Sequence, residues 1–185
     1  ANEVLTTDGS GAVSWAAAGG GDYVHISTTN ITSSTASVEV TLPTGYDRFE
    51  FIFDLYSAGQ AHVYFQTSQD AGSNWLVNNY KISSANGSYS PSLTWTSAAY
   101  SGVLMSDRAK YLAGSIKIHR ASETSATRFV SHASGFDGAG LSASLQSASG
   151  MSTAQTARIN KVKFLASGSY TYSSGKISLY GIKDS

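Results

Sequence analysis

The chain has 185 residues, with 12 Lys or Arg against 12 Asp or Glu, so its formal net charge is zero. A neutral chain lacks the basic surface that binding to a phosphate backbone requires, which disfavours nucleic acid as a partner. The chain has no cysteine, which excludes disulfides and thiolate metal sites, and no apolar run of the ~18–20 residues that a membrane-spanning helix needs.

The composition favours a single β-domain. Charged residues make up only 13% of the chain, against roughly 25% in typical soluble domains, so uncharged polar side chains must supply much of the surface. The chain also contains 11% aromatic residues and 18 Gly. This combination indicates a β-protein rich in turns that faces the extracellular medium, and the length suits one domain with a real core.

The first predicted element is a hairpin. Residues 4–7 and 12–15 are strand-like runs joined by residues 8–11, DGSG, whose types supply the positive φ of tight turns. An isolated hairpin is only marginally stable, and the glycines at 19–21 make a flexible linker to the rest of the chain. We therefore expect its apolar residues to pack against the same segment of neighbouring chains, the alternative being a leader with no role in assembly. These oligomerisation residues are Val4, Leu5, Val13 and Trp15.

From residue 22 onward the hydrophobic period is two, which predicts strands. The strongest is the segment 48–56, RFEFIFDLY, in which Phe49, Phe51, Phe53 and Leu55 share a predicted buried face while Glu50 is predicted to face solvent. We expect residues 57–60 to turn the chain into a second strand, 61–67, and so to form an antiparallel hairpin.

Further strands are predicted along the chain, separated by clusters of Gly, Ser and Asn. They begin at Tyr23 and continue at residues 36–42, 74–83, 92–97, 111–119, 127–133, 140–147, 158–165 and 176–182. Residues 101–108 are compatible with one short helical turn. The pattern predicts an all-β, antiparallel sandwich of the jelly-roll type over residues 22–185.

Residues 68–75, SQDAGSNW, resemble the Asp-box, the SxDxGxTW turn motif of sialidases and many unrelated β-proteins. Asn74 stands where Thr is usual. We expect Asp70 to accept hydrogen bonds from backbone N–H groups of the turn, Gly72 to adopt a left-handed conformation and Trp75 to be buried beneath the turn. A single copy of this motif indicates a structural turn.

The residues typical of catalysis and of metal binding are sparse. The chain has four Glu and no GxSxG nucleophile elbow. Its four His residues lie far apart and lack the spacing of metal ligands. We therefore expect no enzyme, no cofactor and no intrinsic metal, and we interpret Glu39 and Glu50 as solvent-facing residues of strands.

Aromatic and small polar residues concentrate in the segment 74–100. Rigid amphipathic rings interleaved with Asn, Ser and Gly are typical of recognition surfaces, and sugar rings stack on such faces. Trp75 and Trp95 are interpreted as core residues, whereas residues 84–92 form the longest predicted loop. The predicted binding residues are Tyr80, Asn86, Tyr89 and Tyr100.

The two ends of the chain resemble bacteriophage virion fibre proteins. Residues 2–15, NEVLTTDGSGAVSW, followed by AAAGGG, resemble the repeats that lead into the distal domains of tail and head fibres. Residues 175–183, GKISLYGIK, resemble the strand that closes many phage virion β-domains. The resemblance implies a homotrimer that is assembled in the host cytoplasm with other virion proteins and that acts outside the cell.

The function that the resemblance implies is that of a non-enzymatic tail-fibre tip, which attaches the virion to a host cell-surface glycan. Two alternatives stay open at this point: a head fibre or capsid-decoration protein with a purely structural role, and, less favoured, a polysaccharide depolymerase. Fold resemblance alone does not separate them. Because position 1 is Ala and not Met, we expect a processed product or a fragment of a longer protein.

Overall fold

The structure is a computed structural model that describes residues 3–7, 10–17, 23–76, 80–86, 94–98, 103–122, 124, 127–136, 143–152 and 155–183. Within these ranges every regular element is a strand. The strands are β1 (Glu3–Thr7), β2 (Val13–Ala17), β3 (Tyr23–Ile31), β4 (Ser37–Thr41), β5 (Arg48–Ser68), β6 (Tyr80–Asn86), β7 (Thr94–Ala98), β8 (Val103–His119), β9 (Arg128–Phe136), β10 (Ala143–Ser152), β11 (Lys161–Ala166) and β12 (Tyr172–Ile182).

All strand pairs are antiparallel, and they form two sheets. β1 pairs with β2, which sets Leu5 opposite Trp15. The other ten strands form one sheet in the order β3-β12-β5-β8-β9-β10-β6-β7, and β11 pairs with both β5 and β4. The predicted all-β, antiparallel class is confirmed.

The long strand β5 links two layers of this sheet. Its first half pairs with β12 and with the C-terminal half of β8, whereas its second half pairs with β11 and with the N-terminal half of β8. The register of β5 against β8 shifts between Tyr56 and Ala61, where the strand passes from one layer to the other. Rings from both layers then meet in the core, since Phe164 of β11 lies 5.4 Å from Phe51 and 5.7 Å from Phe65, between ring centroids. The layers therefore form a sandwich.

Strands from the beginning of the large sheet's sequence pair with strands from its end. β3, the first strand of the large sheet, pairs with β12, the last one, and β4 pairs with β11. β12 and β11 in turn pair with the first and second halves of β5. The first and the last strand of the large sheet therefore lie side by side, and the jelly-roll winding itself stays a prediction.

The core lies between the layers and follows the predicted alternation of β5. Phe49, Phe51, Phe53 and Leu55 are each at most 2% exposed, which confirms the predicted buried face. Their fully buried neighbours come from β8, β11 and β12 and are Ile116, Ile118, Val162, Phe164, Ile177 and Leu179. Residues that alternate with this set face away from the core.

The predicted hairpin at residues 57–60 is wrong. β5 continues through these residues without turning back, because both of its halves pair with β8. Glycine is required at position 59 because the ring of Tyr170 packs directly against it, and a Cβ there would overlap that ring. Glycine beside small polar residues is typical of turns and of such close contacts alike.

Two other local predictions are wrong. Residues 103–108 belong to β8 and make no helical turn, because they pair with the second half of β5. Asn74 and Trp75 lie in a turn, and the next strand begins only at Tyr80. The first error concerns a segment whose conformation depends on a strand that is distant in sequence. The second concerns a local turn, because Asn74 is held by hydrogen bonds to Asp70.

Candidate functional site

A polar and aromatic surface covers the solvent side of β3, β12, β5, β8 and β9, which we call the outer face. It is built by the residues that alternate with the core, such as Ile52, Asp54 and Tyr56 of β5. Register places Lys176 of β12 opposite Asp54, and Tyr111 of β8 opposite Tyr56. Because directly opposed residues on neighbouring strands share a face, these side chains form continuous rows across the sheet.

A pair of tyrosines bounds one end of the outer face. The ring centroids of Tyr56 and Tyr111 are 4.7 Å apart, with the ring planes 38° from parallel. Tyr111 is 52% exposed, which is high for so large a side chain. An exposed ring held by a second ring offers a rigid apolar surface at a low entropic cost.

A second aromatic group bounds the opposite end. Tyr23 of β3 stacks on Tyr180 of β12 with ring centroids 4.7 Å apart and planes only 18° from parallel. His25 approaches Tyr180 edge-on at 5.3 Å. Tyr23 is 45% exposed, so this end also presents ring surface to solvent.

Glu50 lies beside this second group, and its environment corrects the prediction of a simple solvent-facing residue. It does face away from the core, yet its side chain is only 14% exposed. The Tyr23 hydroxyl donates to Glu50 Oε2 at 3.0 Å, and Lys117 Nζ lies 3.7 Å from the same oxygen. Partial burial, and then the bond to Glu50, raises the pKa of Tyr23 above its ordinary value. The carboxylate of Glu50 is therefore already engaged by Tyr23 and Lys117.

Between the two aromatic groups lie two adjoining shallow grooves of about 550 and 620 Å³. Asp54 and Lys176 line both grooves, so they stand where the two meet. The remaining lining is of low relief and consists mainly of Tyr56, Tyr111, Ser174, Ile52, Ala113, Ser115 and His132. Ile52 is 45% exposed and adds an apolar patch to the floor.

The Asp-box turn lies at the end of β5. Asp70 Oδ1 accepts from the backbone N–H of Asn74 and from the Ser68 hydroxyl, each at 2.8 Å, and Asp70 Oδ2 accepts from Asn74 Nδ2 at 2.6 Å. These bonds, that of the Asn74 backbone first, lower the pKa of Asp70 to about 2. Gly72 has φ +93°. The predicted roles of Asp70 and Gly72 are confirmed.

Trp75 is not the core residue that the sequence predicts. It is half-buried, and Lys163 Nζ lies 4.0 Å from the centroid of its ring, a cation–π contact. Lys163 alternates with the buried Val162 and Phe164 of β11, so the ring covers the solvent side of that strand. Trp95 belongs to β7, where the structure describes the backbone alone.

The predicted binding residues do not form one site among the described residues. Tyr89 and Tyr100 lie outside the described ranges. Tyr80 and Asn86 occupy the two ends of β6, about 20 Å apart at the usual rise of a strand. The predicted loop 84–92 is therefore wrong over residues 84–86, which belong to this strand. Sequence reasoning missed the outer face, although its signal was legible: the positions opposite the phenylalanines of 48–56 include Ile52 and Tyr56, which are unusual on a merely solvated face.

The N-terminal hairpin exposes apolar side chains. Leu5 is 58% exposed and Val13 is 64% exposed, and Gly11 has φ +95°. Val4 and Trp15 lie in β1 and β2, and their side chains fall outside the description. Assembly through this hairpin stays a prediction.

In the described part of the chain, no three His, Cys, Asp or Glu residues come together as metal ligands would. Those same residues include no helix with the length and apolarity to span a bilayer. The sequence matches no family model, and it has no significant match among curated proteins or among solved structures.

Proposed function

We propose that this chain is the distal domain of a bacteriophage fibre, carried on the virion as a homotrimer, and that it attaches to a host cell-surface glycan through the outer face. The observation that carries the proposal is the grooved surface between two exposed tyrosine groups, with Asp54 and Lys176 at its centre. Exposed ring faces with a few convergent polar groups are what sugar recognition requires.

The segment that resembles virion domains contributes directly to this surface. In β12, Ile177 and Leu179 are at most 1% exposed and anchor the strand in the core. Lys176 and Tyr180 alternate with them on the outer face, opposite Asp54 and Glu50. The GKISLYGIK segment therefore supplies both core and recognition residues, which supports one role for the whole motif.

The exposed hairpin supports assembly. Leu5 and Val13 leave apolar surface in contact with water in the single chain, and packing against neighbouring copies would bury it. Three linked copies of a weak glycan site raise the overall avidity by ~10²–10⁴ without any new contact. A shallow groove suffices for attachment under those conditions.

The carboxylates of the outer face favour binding over hydrolysis. Glu50 and Asp54 are four residues apart on β5, which is about 13 Å along a strand. Paired glycosidase carboxylates stand ~5–9.5 Å apart, and Glu50 is already held by Tyr23 and Lys117. This spacing supports a domain that holds a glycan intact.

One observation favours the alternative of a structural head-fibre or decoration protein. The outer face is shallow and carries exposed Ile52 and Tyr111, and apolar patches of this kind also mark contacts between proteins. In that case a neighbouring virion protein would cover the face.

The experiment that separates these roles is adsorption of the purified full chain to bacterial cells, with competition by polysaccharide released from the same cells. We expect saturable adsorption that the polysaccharide blocks and that Tyr111→Ala weakens. Tyr170→Ala is the matched control, because Tyr170 is 40% exposed but lies outside the grooves. A chain that assembles into virions yet adsorbs to no cells would establish the structural role instead.

A further inference from the structure

The polar groups of the outer face fall into two sets. In the first set every member has a partner within the fold: Glu50 bonds Tyr23 and lies near Lys117, and Thr28 shares bonds with His25 and Ser178. The second set makes neither a hydrogen bond nor an ion pair within the described residues, and it includes Asp54 and Lys176 together with Ser115, Ser174 and His132. Within this set, the carboxylate of Asp54 and the ammonium group of Lys176 stand where the two grooves meet.

The position of these two residues makes their lack of a partner informative. They face each other on adjacent strands, where directly opposed Cβ atoms stand about 4.5–5.5 Å apart. Association of opposite charges at this spacing is favourable, yet both residues are exposed beside the groove and no ion pair joins them. A ligand atom placed between them meets an acceptor on one side and a donor on the other.

This pairing selects a ligand by its charge. A sugar hydroxyl both donates and accepts, so it can bond Asp54 and Lys176 at once. A carboxylate or sulfate group is attracted by Lys176, but it only accepts, so it leaves Asp54 without a bond and is repelled by it. An ammonium group is attracted by Asp54 and repelled by Lys176 in the same way. Among the described residues that line the grooves, the other carboxylate is that of Glu50, which is already engaged by Tyr23 and Lys117.

We infer that the ligand of the outer face is an uncharged oligosaccharide, whose hydroxyl groups bridge Asp54 and Lys176 while its ring faces stack on the tyrosine groups. This inference rests on the proposed function. An extended chain fits better than a single sugar, because Tyr56, beside Tyr111, stands six positions after Glu50, beside Tyr180, on β5, a span of about 20 Å.

The test uses the full chain and pairs of probes that differ in charge alone. Acidic surface polysaccharides from a panel of bacteria, and oligogalacturonates, are each presented as the free acid and after conversion of their carboxyl groups to neutral alcohols or methyl esters. Unmodified neutral polysaccharides complete the set. We expect wild-type protein to bind neutral forms at least tenfold more tightly than the matched acids.

Two variants test whether a preference for neutral ligands comes from Asp54 and Lys176. Asp54→Asn removes the negative charge and keeps an acceptor, so the preference for neutral ligands should shrink by several-fold through a gain in acid binding. Lys176→Gln should weaken binding of neutral ligands without that gain. Circular dichroism and thermal melting serve to check that both variants are folded.

The outcomes separate this inference from the proposed function. Binding that prefers the acids, and that Tyr111→Ala still weakens, would overturn the neutral ligand while glycan attachment stands. Binding to no saccharide of either class would overturn both. A neutral preference that Asp54→Asn leaves unchanged would also overturn the assignment, because the selection would then come from other residues.

Discussion

The ring of Phe164 on β11 meets the ring of Phe51 on β5 edge-on at 5.4 Å and so joins the two layers of the sandwich. Both side chains are 0% exposed. Phe51→Ala should lower the free energy of unfolding by about 3–5 kcal/mol, because it removes ring contacts and leaves a cavity. Chemical denaturation measures this directly.

The control for Phe51 is its neighbour Ile52, which is 45% exposed on the outer face. Ile52→Ala should change the free energy of unfolding by no more than about 0.5 kcal/mol. Glu50→Ala is unsuitable as a neutral control, because Glu50 accepts a bond from Tyr23. Equal losses from Phe51→Ala and Ile52→Ala would contradict the assignment of the two faces of β5.

The faces of β5 were predictable from sequence because the alternation of Phe49, Phe51 and Phe53 with polar neighbours is a local property. The course of β5 past Ser57 was not predictable from sequence, because the continued strand depends on pairing with β8, some fifty residues away in the chain. The outer face escaped prediction for the same reason. Asp54 and Lys176 become neighbours only through the register of β5 and β12. The predicted binding residues, by contrast, all come from the one contiguous segment 74–100.

Tyr172 carries a buried hydroxyl whose removal should not harm the fold. Its side chain is 0% exposed, and its hydroxyl has no hydrogen-bond partner among the described residues. Burial raises the pKa of Tyr172 above its ordinary value. Because an unsatisfied buried group costs about 1–3 kcal/mol, Tyr172→Phe should leave the free energy of unfolding unchanged or raise it. Tyr172→Ala should lower it by about 3–5 kcal/mol. A clear loss of stability in Tyr172→Phe would reveal a partner for the hydroxyl.

The Asp70 turn should make stability depend on acidity in a defined window. The pKa of Asp70 falls in the folded state from 3.8 to about 2. The folded state therefore binds the proton less readily than the unfolded chain, and the contribution is complete above pH 3.8 and lost as the pH falls through 2. Thermal melting should show Asp70→Asn less stable than the wild type at neutral pH, with a difference that narrows between pH 4 and pH 2. A constant difference across that range would mean that Asp70 acts through something other than its charge.

Because the Asp70 turn lies at the end of β5, away from the two grooves, folded Asp70→Asn should adsorb to cells as the wild type does. Lost adsorption with an unchanged melting temperature would place the recognition site at the turn.

The N-terminal hairpin should hold the oligomer together. Leu5 and Val13 are more than half exposed in the single chain, so replacing both with Ser should weaken self-association without lowering the stability of the main domain. Sedimentation velocity should give a trimer for the full chain and smaller species for the Leu5→Ser, Val13→Ser variant or for a chain without residues 1–21. Ala12→Ser, an exposed change in the same hairpin, is the control. A full chain that sediments as a monomer at micromolar concentration would contradict assembly through this segment.

Two positions compete as the centre of recognition, and paired variants decide between them. The sequence points to Tyr89, in the predicted loop 84–92. The structure points instead to Tyr111, which is 52% exposed and lies at the groove beside Tyr56. Aromatic anchors carry a large share of binding energy, and a loss at each of three linked sites is multiplied in the assembled fibre. We expect Tyr111→Ala to reduce adsorption to host cells at least tenfold with sedimentation and melting unchanged, and Tyr89→Ala to reduce it far less. The reverse order would move the site to the loop, and normal adsorption by both variants would favour the structural role for the domain.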